Sequence, residues 1–379
     1  MGIGTDPLGC QTGATMAPPT VRDFPYLIKA GATMRIANVR VRLFGTISGD
    51  GPKIRGIQAD GFGVDETELT PVGDEIYEAN DLDVTTAFSA NLTAFYDTLD
   101  IDWEVSLDGT SWESAGTSRN PVYVALDDSE WPETIFQTVA NLACSNTGAT
   151  DPTSALAKTW ALFSTAGGPA NPKTVDGRDL YYYQPGFTAL DNKYNGQVTV
   201  EGLLRLGRGQ CGAWARLLEA ALLCNGVTSV YVTATLTGPG ADYFWVGQWD
   251  DVTDGSPFWF QSSAFDMLPT PNGNPLVQAG RYDDPSNRQY FLNKLTFKGQ
   301  GTGGSATLCP AQKVFTNHQF LCVGGTYYDP SYGVTYTGAG NFQQKLAGYG
   351  ADNGLINNKR TLTFKEFSGT IIQFSATCT

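Results

Sequence analysis

The sequence predicts an α+β protein of two domains, an N-terminal antiparallel β-sandwich followed by a larger mixed domain. Three observations carry this expectation. Period-2 alternation, punctuated by Gly, Asp and Asn, dominates up to about residue 126. Helical periodicity starts only after Asp127-Asp128-Ser129 and is clearest over residues 210–224. Strand-like runs then return from Phe315 to the end. A chain of 379 residues allows two or three domains, with ample length to bury a core.

Residues 1–20 read as a flexible Gly/Thr/Pro tail, without the basic start and apolar stretch of a signal peptide. The sandwich is expected over 21–128. Residues 38–43 (Asn-Val-Arg-Val-Arg-Leu) alternate polar and apolar, as a half-buried strand does. Trp103, Val105 and Leu107 alternate toward Asp108-Gly109, a hairpin-turn dipeptide, with Trp112 on the return. Residues 122–126 supply a further strand.

Residues 129–379 form the second expected domain. Ile135, Phe136, Val139 and Ala143 share a helical face opened by Pro132-Glu133. Asp151-Pro152 gives an N-cap followed by Pro, with Leu156, Trp160 and Phe163 along one stripe, and a Gly/Pro-rich loop over 166–172 ends that helix. The third helix, 210–224, is closed by Asn225-Gly226. Its residues 211, 214, 215, 218, 221 and 222 make one buried face, with Arg216 and Glu219 outside. After a strand at 230–236, residues 237–316 are long, aromatic and irregular, with a strand-like piece at 243–249; this reads as a functional insertion. Strands follow at 315–323, 326–329, 361–367 and 370–375, and no internal repeat is visible.

Composition removes several function classes. With 24 Lys+Arg against 38 Asp+Glu the formal charge is −14, and no basic run reverses it locally, so nucleic acid is not an expected partner. No stretch approaches the ~20 apolar residues of a membrane-spanning helix. The single histidine, His318, excludes His-rich metal sites. Seven cysteines without a Cys-x-x-Cys pair exclude a zinc ribbon or thioredoxin-type motif. Their spacings reveal no pairing, although Cys322 could bridge to Cys309. The acidic loop Asp250, Asp251 and Asp254 does not match an EF-hand and reads as a solvated turn. No cofactor is expected from the residues. The Lys-poor, Thr/Ser/Gly-rich composition favours an extracytoplasmic location.

The chemistry concentrates around the lone histidine. Gly324-Gly325 between two strand-like runs predicts a two-residue hairpin turn. That register sets Val323 opposite Thr326, Phe320 opposite Asp329 and His318 opposite Ser331. Side chains alternate faces, so His318, Phe320 and Asp329 share one face, and Asp329 is diagonal to His318. Cys211 stands at the start of a helix, where the dipole and unpaired N–H groups favour thiolate. A neighbouring imidazole would complete a thiolate–imidazolium pair, which depresses the thiol pKa to about 3–4 in papain-like pairs. A carboxylate on the other ring nitrogen fixes the tautomer.

Gly209-Gln210-Cys211-Gly212-Ala213-Trp214-Ala215, leading into a helix, resembles the Gly-Gln-Cys-x-x-aromatic-Ala signature of the transglutaminase-like, papain-related superfamily. A His on one strand with an Asp on the next is similar to the second half of that family. The match spans roughly 130–370 and implies a papain-type α+β domain, with Cys211 as nucleophile, His318 as general base and acid, and Asp329 as orienting carboxylate. The interval from Cys to His is longer than in the family core, and that from His to Asp is shorter. The upstream Trp that stabilises the oxyanion in animal transglutaminases has no placed counterpart; Tyr181-Tyr182-Tyr183 is the nearest aromatic cluster. The Cys211 N–H and the Gln210 side chain are the candidate oxyanion donors. Calcium, known in some relatives, is implied only by the resemblance. The segment 101–126 similarly resembles the end of an immunoglobulin-like domain at the level of fold.

The resulting expectation is acyl transfer on a protein or peptide amide through a thioester, resolved by water as in a peptidase or amidase. Resolution by an amine would instead make a cross-linking transglutaminase. A non-catalytic binding protein on the same fold is the reading from another class. Cys224 and Trp214 read as core residues of the Cys211 helix, with a disulfide as the other use of Cys224.

Overall fold

The structure is a computed structural model describing residues 25–58, 61–129, 131, 134–166, 168–182, 198–237, 243–246, 300–301, 314–315, 317–344, 346–356, 359–365 and 372–378. The expected tail over 1–20, the acidic loop at 250–254, most of the 237–316 insertion, Pro132, Glu133, Tyr183, Cys10 and Cys309 lie outside the described residues. The architecture is mixed α and β, rich in strands.

The chain packs as two compact units. The first runs to Lys158 and regains the chain at Leu223–Val227; the second holds Thr159–Leu222 and the described chain from Thr228 onward.

The first unit carries ten strands among its described residues: β1 Tyr26–Lys29, β2 Thr33–Arg42, β3 Lys53–Ile57, β4 Val64–Glu68, β5 Thr70–Gly73, β6 Ile76–Ala87, β7 Ala94–Tyr96, β8 Ile101–Ser106, β9 Glu113–Ser118 and β10 Val122–Ala125. A large sheet runs β2-β6-β4-β3-β8-β9, with β5 also on β6, and a small one runs β1-β10-β7. Alternation explains the strands: β3 buries Ile54 and Gly56, and β8 buries Ile101 and Trp103. Ile28, Val122 and Val124 of the small sheet share one buried core with Ile54, Val84 and Ile101 of the large one. One pairing departs from the antiparallel expectation, since β1 runs parallel to β10. A parallel pair needs a long crossover, and the whole chain between them supplies it.

Two helices complete this unit. Helix α1, Gln137–Cys144, begins later than the sequence suggested, because Phe136 is extended (φ −82°, ψ 150°) and offers no side-chain cap. Helix α2, Pro152–Trp160, opens as expected: the Asp151 carboxylate accepts the N–H groups of Thr153 and Ser154 at 2.9 and 3.0 Å.

The second unit holds short strands β11 Ser164–Thr165, β12 Gly168–Pro169 and β13 Tyr181–Tyr182, then α3 Val200–Leu206, β14 Arg208–Gly209, α4 Cys211–Leu223 and β15 Val230–Leu236. There follow β16 Tyr243–Val246, β17 Val314–Phe315, β18 Asn317–Val323, β19 Thr326–Asp329, β20 Val334–Tyr336, α5 Ala339–Gln344, β21 Leu346–Ile356, β22 Lys359–Lys365 and β23 Ile372–Phe374. An antiparallel sheet runs β20-β19-β18-β15-β23, and a second runs β17-β16-β21-β22. Helix α4 is buried on more than the expected stripe: Gly212, Ala213 and Leu217 are enclosed as well, leaving Arg216 exposed. A helix apolar nearly all round belongs inside its unit. Cys322 is bridged to Cys378 and not to Cys309, whereas Cys144, Cys211 and Cys224 are buried thiols outside that bridge.

Candidate active site

The site is built in the second unit, where a hairpin and a helix start converge. In the β18–β19 hairpin Val323 pairs with Thr326, Cys322 with Tyr327 and Leu321 with Tyr328. Gly324 and Gly325 both have positive φ, 51° and 81°, which glycine alone adopts at little cost, and this makes the two-residue turn possible. The register fixes which side chains meet. His318 Nε2 lies 2.7 Å from Asp329 Oδ2, and both residues are fully buried.

The carboxylate accepts two further bonds. The Ser331 N–H donates to Oδ1 at 3.0 Å and the Tyr336 hydroxyl to Oδ2 at 2.8 Å. With donors on both oxygens, Asp329 acts as an acceptor toward the imidazole, so Nε2 carries the proton. Nδ1 is then the ring nitrogen left for sulfur. Cys211 interacts with the imidazole, its charge and hydrogen bond acting on the ring in the same direction as those of Asp329. Burial alone would lower the His318 pKa, but the charge and hydrogen bond of Asp329, joined by Cys211, outweigh it and raise the value to about 10. The buried imidazole thus neighbours both a carboxylate and a sulfur.

Cys211 reaches this position because it is the first residue of α4. Ahead of it, the Gln210 carbonyl accepts the N–H groups of Ala213 and Trp214 at 3.0 and 3.2 Å. Gly212 is required for a close approach: a Cβ there would stand 2.5 Å from Gln319 Oε1 and 3.0 Å from the Tyr231 hydroxyl. The Tyr231 hydroxyl donates to that same Gln319 oxygen at 2.8 Å, which seats β15 and β18 against the helix start.

Among the residues expected from the sequence, the structure brings together Cys211, His318 and Asp329. Gln210 adjoins the site at the helix start, half-buried, but its carboxamide makes no hydrogen bond to those three. Tyr182 of the expected aromatic cluster is drawn in: β13 runs parallel to β14 and sets Tyr182 beside Gly209, two residues before Cys211. Its ring lies 6.4 Å from the imidazole and 5.1 Å from the Tyr332 ring. The rings of Tyr332, Phe320 and Phe342 lie 5.7, 5.9 and 6.4 Å from the imidazole. Burial pushes the Tyr182 and Tyr332 hydroxyls well above the usual tyrosine range, so both stay protonated.

Sequence reasoning missed Tyr332, Tyr336 and Gln300. The aromatic spacing after Asp329 was the legible signal for the tyrosines. Gln300 is fully buried and clamps the turn after Asp329. Its side-chain N–H groups donate to the carbonyls of Pro330 and Phe163, and its backbone N–H donates to the Ser331 carbonyl.

Among the described residues no group of three or more His, Cys, Asp or Glu could hold a metal ion, and no helix is long and apolar enough to cross a membrane. No protein-family model matches the chain, and no curated protein matches it.

Proposed function

We propose that the second unit is a papain-type, transglutaminase-like cysteine enzyme that hydrolyses protein or peptide amides, and that the first is an immunoglobulin-like sandwich. The single observation that carries the reading is the His318–Asp329 contact of 2.7 Å, with Cys211 acting on the same imidazole. Residues more than 100 positions apart converge in the order of nucleophile, base and orienter.

In this reading the Cys211 sulfur attacks the amide carbonyl carbon and forms a C–S bond. His318 gives its Nδ1 proton to the amine as the C–N bond breaks, leaving a thioester. Water then adds to the thioester with its proton passing to His318, and the sulfur leaves with a free carboxylic acid as product. Asp329 holds the ring throughout. The Cys211 N–H at the start of α4 supports the oxyanion. The Cys322–Cys378 bridge fits an oxidising compartment.

Iodoacetamide labelling of the native protein at neutral pH, read by peptide mass spectrometry, tests this with Cys144 and Cys224 as buried controls. Cys211 is expected to label ahead of both and to slow sharply in His318→Ala. Labelling no faster than the controls, or indifferent to His318, overturns the reading. Casein hydrolysis with and without a fluorescent primary amine then separates water from an amine as acceptor.

A further inference from the structure

The Asp329 carboxylate sits between two diagonal neighbours on one face of the sheet. On β18, His318 is two positions from Phe320, the residue opposite Asp329 by register; on β20, Tyr336 is two positions from Val334, which pairs with Asp329 directly. Both neighbours end on the same oxygen. His318 Nε2 is 2.7 Å and the Tyr336 hydroxyl 2.8 Å from Oδ2. Tyr336 is 1% exposed, so water does not compete for this bond.

We propose that Tyr336 is a positioning residue of the site, whose hydroxyl shares Asp329 Oδ2 with the imidazole and thereby sets how strongly the carboxylate holds His318 toward Cys211. This inference rests on the proposed cysteine chemistry. The physics is competition for one acceptor. A phenol donating to Oδ2 withdraws charge that the imidazolium would otherwise feel, and charge-assisted bonds of this kind are the strong ones. Burial and the Asp329 charge push the Tyr336 hydroxyl well above its usual pKa, so it remains a donor across the working pH range. Among the described residues the titratable groups around His318 include Asp329, Cys211, Tyr182, Tyr332 and Tyr336, while Phe320 and Phe342 add none.

The lone histidine makes the test direct, because its Cε1–H signal in a proton–carbon spectrum needs no assignment. His318 is titrated in the unsubstituted protein, in Tyr336→Phe, and with 2,3-difluorotyrosine placed at position 336. Iodoacetamide labelling of Cys211 is followed over the same pH range. Removing the competing donor is expected to move the His318 midpoint upward by about one pH unit, with the labelling profile moving alongside. The more acidic fluorinated phenol donates more strongly and is expected to move it down. An unchanged midpoint in both, or a downward move in Tyr336→Phe, overturns the proposal, since a merely structural tyrosine alters stability and not the titration. Should Tyr336→Phe fail to fold, the fluorinated arm decides, because it preserves the side chain's shape. Cys211 labelling that ignores His318 in the unsubstituted protein sinks the enzymatic reading, whereas the midpoint shifts report on Tyr336 separately.

Discussion

Two hairpins, one in each unit, start from similar sequence signals and end differently. β18–β19 turns through Gly324-Gly325 in two residues and locks a register that buries His318 against Asp329. β8–β9 carries Asp108-Gly109, yet its last paired residues are Val105 and Glu113, so the connection is long. The cause is the Asp108 side chain, whose Oδ1 accepts the N–H groups of Thr110 and Ser111 at 2.8 and 2.7 Å. A local carboxylate competes with the ladder for backbone donors, and a second glycine cannot. β9 is exposed along nearly its whole length and its register shifts beside Trp103. A tight turn with one buried face therefore specifies a long-range pair, whereas an Asx-type turn on an exposed edge satisfies only itself.

The sharpest way to break this contrast is to remove a carboxylate from each region. Asp329→Ala strips the buried His318 ring, the Tyr336 hydroxyl and the Ser331 N–H of their shared acceptor and is expected to cost about 3–5 kcal/mol in urea unfolding. The pair Arg55–Glu104, at 2.7 Å on the β3–β8 ladder, is 32% and 28% exposed in its side chains. Glu104→Ala is expected to cost about 1 kcal/mol or less, because exposed pairs are screened and pay side-chain entropy. Equal losses would mean that burial of the His318–Asp329 pair does not govern its worth. The next effect lies in the turn. Gly325→Ala forces a Cβ into a left-handed conformation (φ 81°) and is expected to cost about 1–2 kcal/mol. No loss in the same unfolding measurement would refute the need for glycine there.

What could be read in advance follows the same division. The His318–Asp329 diagonal was legible because alternation and a Gly-Gly turn leave one register open. Cys211 was legible from its own motif at a helix start. Helix α3 was overlooked although Thr199 caps it, accepting the Gly202 N–H at 3.0 Å, and Glu201 pairs with Arg205 at 2.8 Å; at seven residues it offers little periodicity. β21 escaped because Leu346–Ile356 is rich in Gly, Ala, Asp and Asn, residues depleted in strands, so pairing with β16 and β22 decides its state. Gln300 could not have been found from the residues around it, because its clamp on Pro330 and Phe163 closes over sequence distances of 30 and 137.

The smallest effects separate the hairpins by pH. The His318 pKa is raised from 6.5 to about 10, so its contribution to stability is complete below pH 6.5 and is lost as pH climbs through 10. The Asp108 carboxyl is held below its usual range by the N–H groups of Ser111 and Thr110, so its contribution is present above about pH 4 and is lost as pH falls. Melting temperature followed from pH 3 to pH 10 should therefore show limbs with different owners. His318→Gln is expected to flatten the alkaline limb and leave the acid limb in place. Asp108→Ala is expected to shave the acid limb only slightly, because the Asp127 carboxyl, held low by the Ser129 hydroxyl and the Asp128 N–H, and the Asp151 carboxyl, held low by the Ser154 N–H, contribute in the same direction. An alkaline limb that survives His318→Gln would place the alkaline loss of stability outside the His318–Asp329 pair. One that bends with Asp108→Ala would mean the two hairpins are not independent, which the local character of the Asp108 bonds argues against.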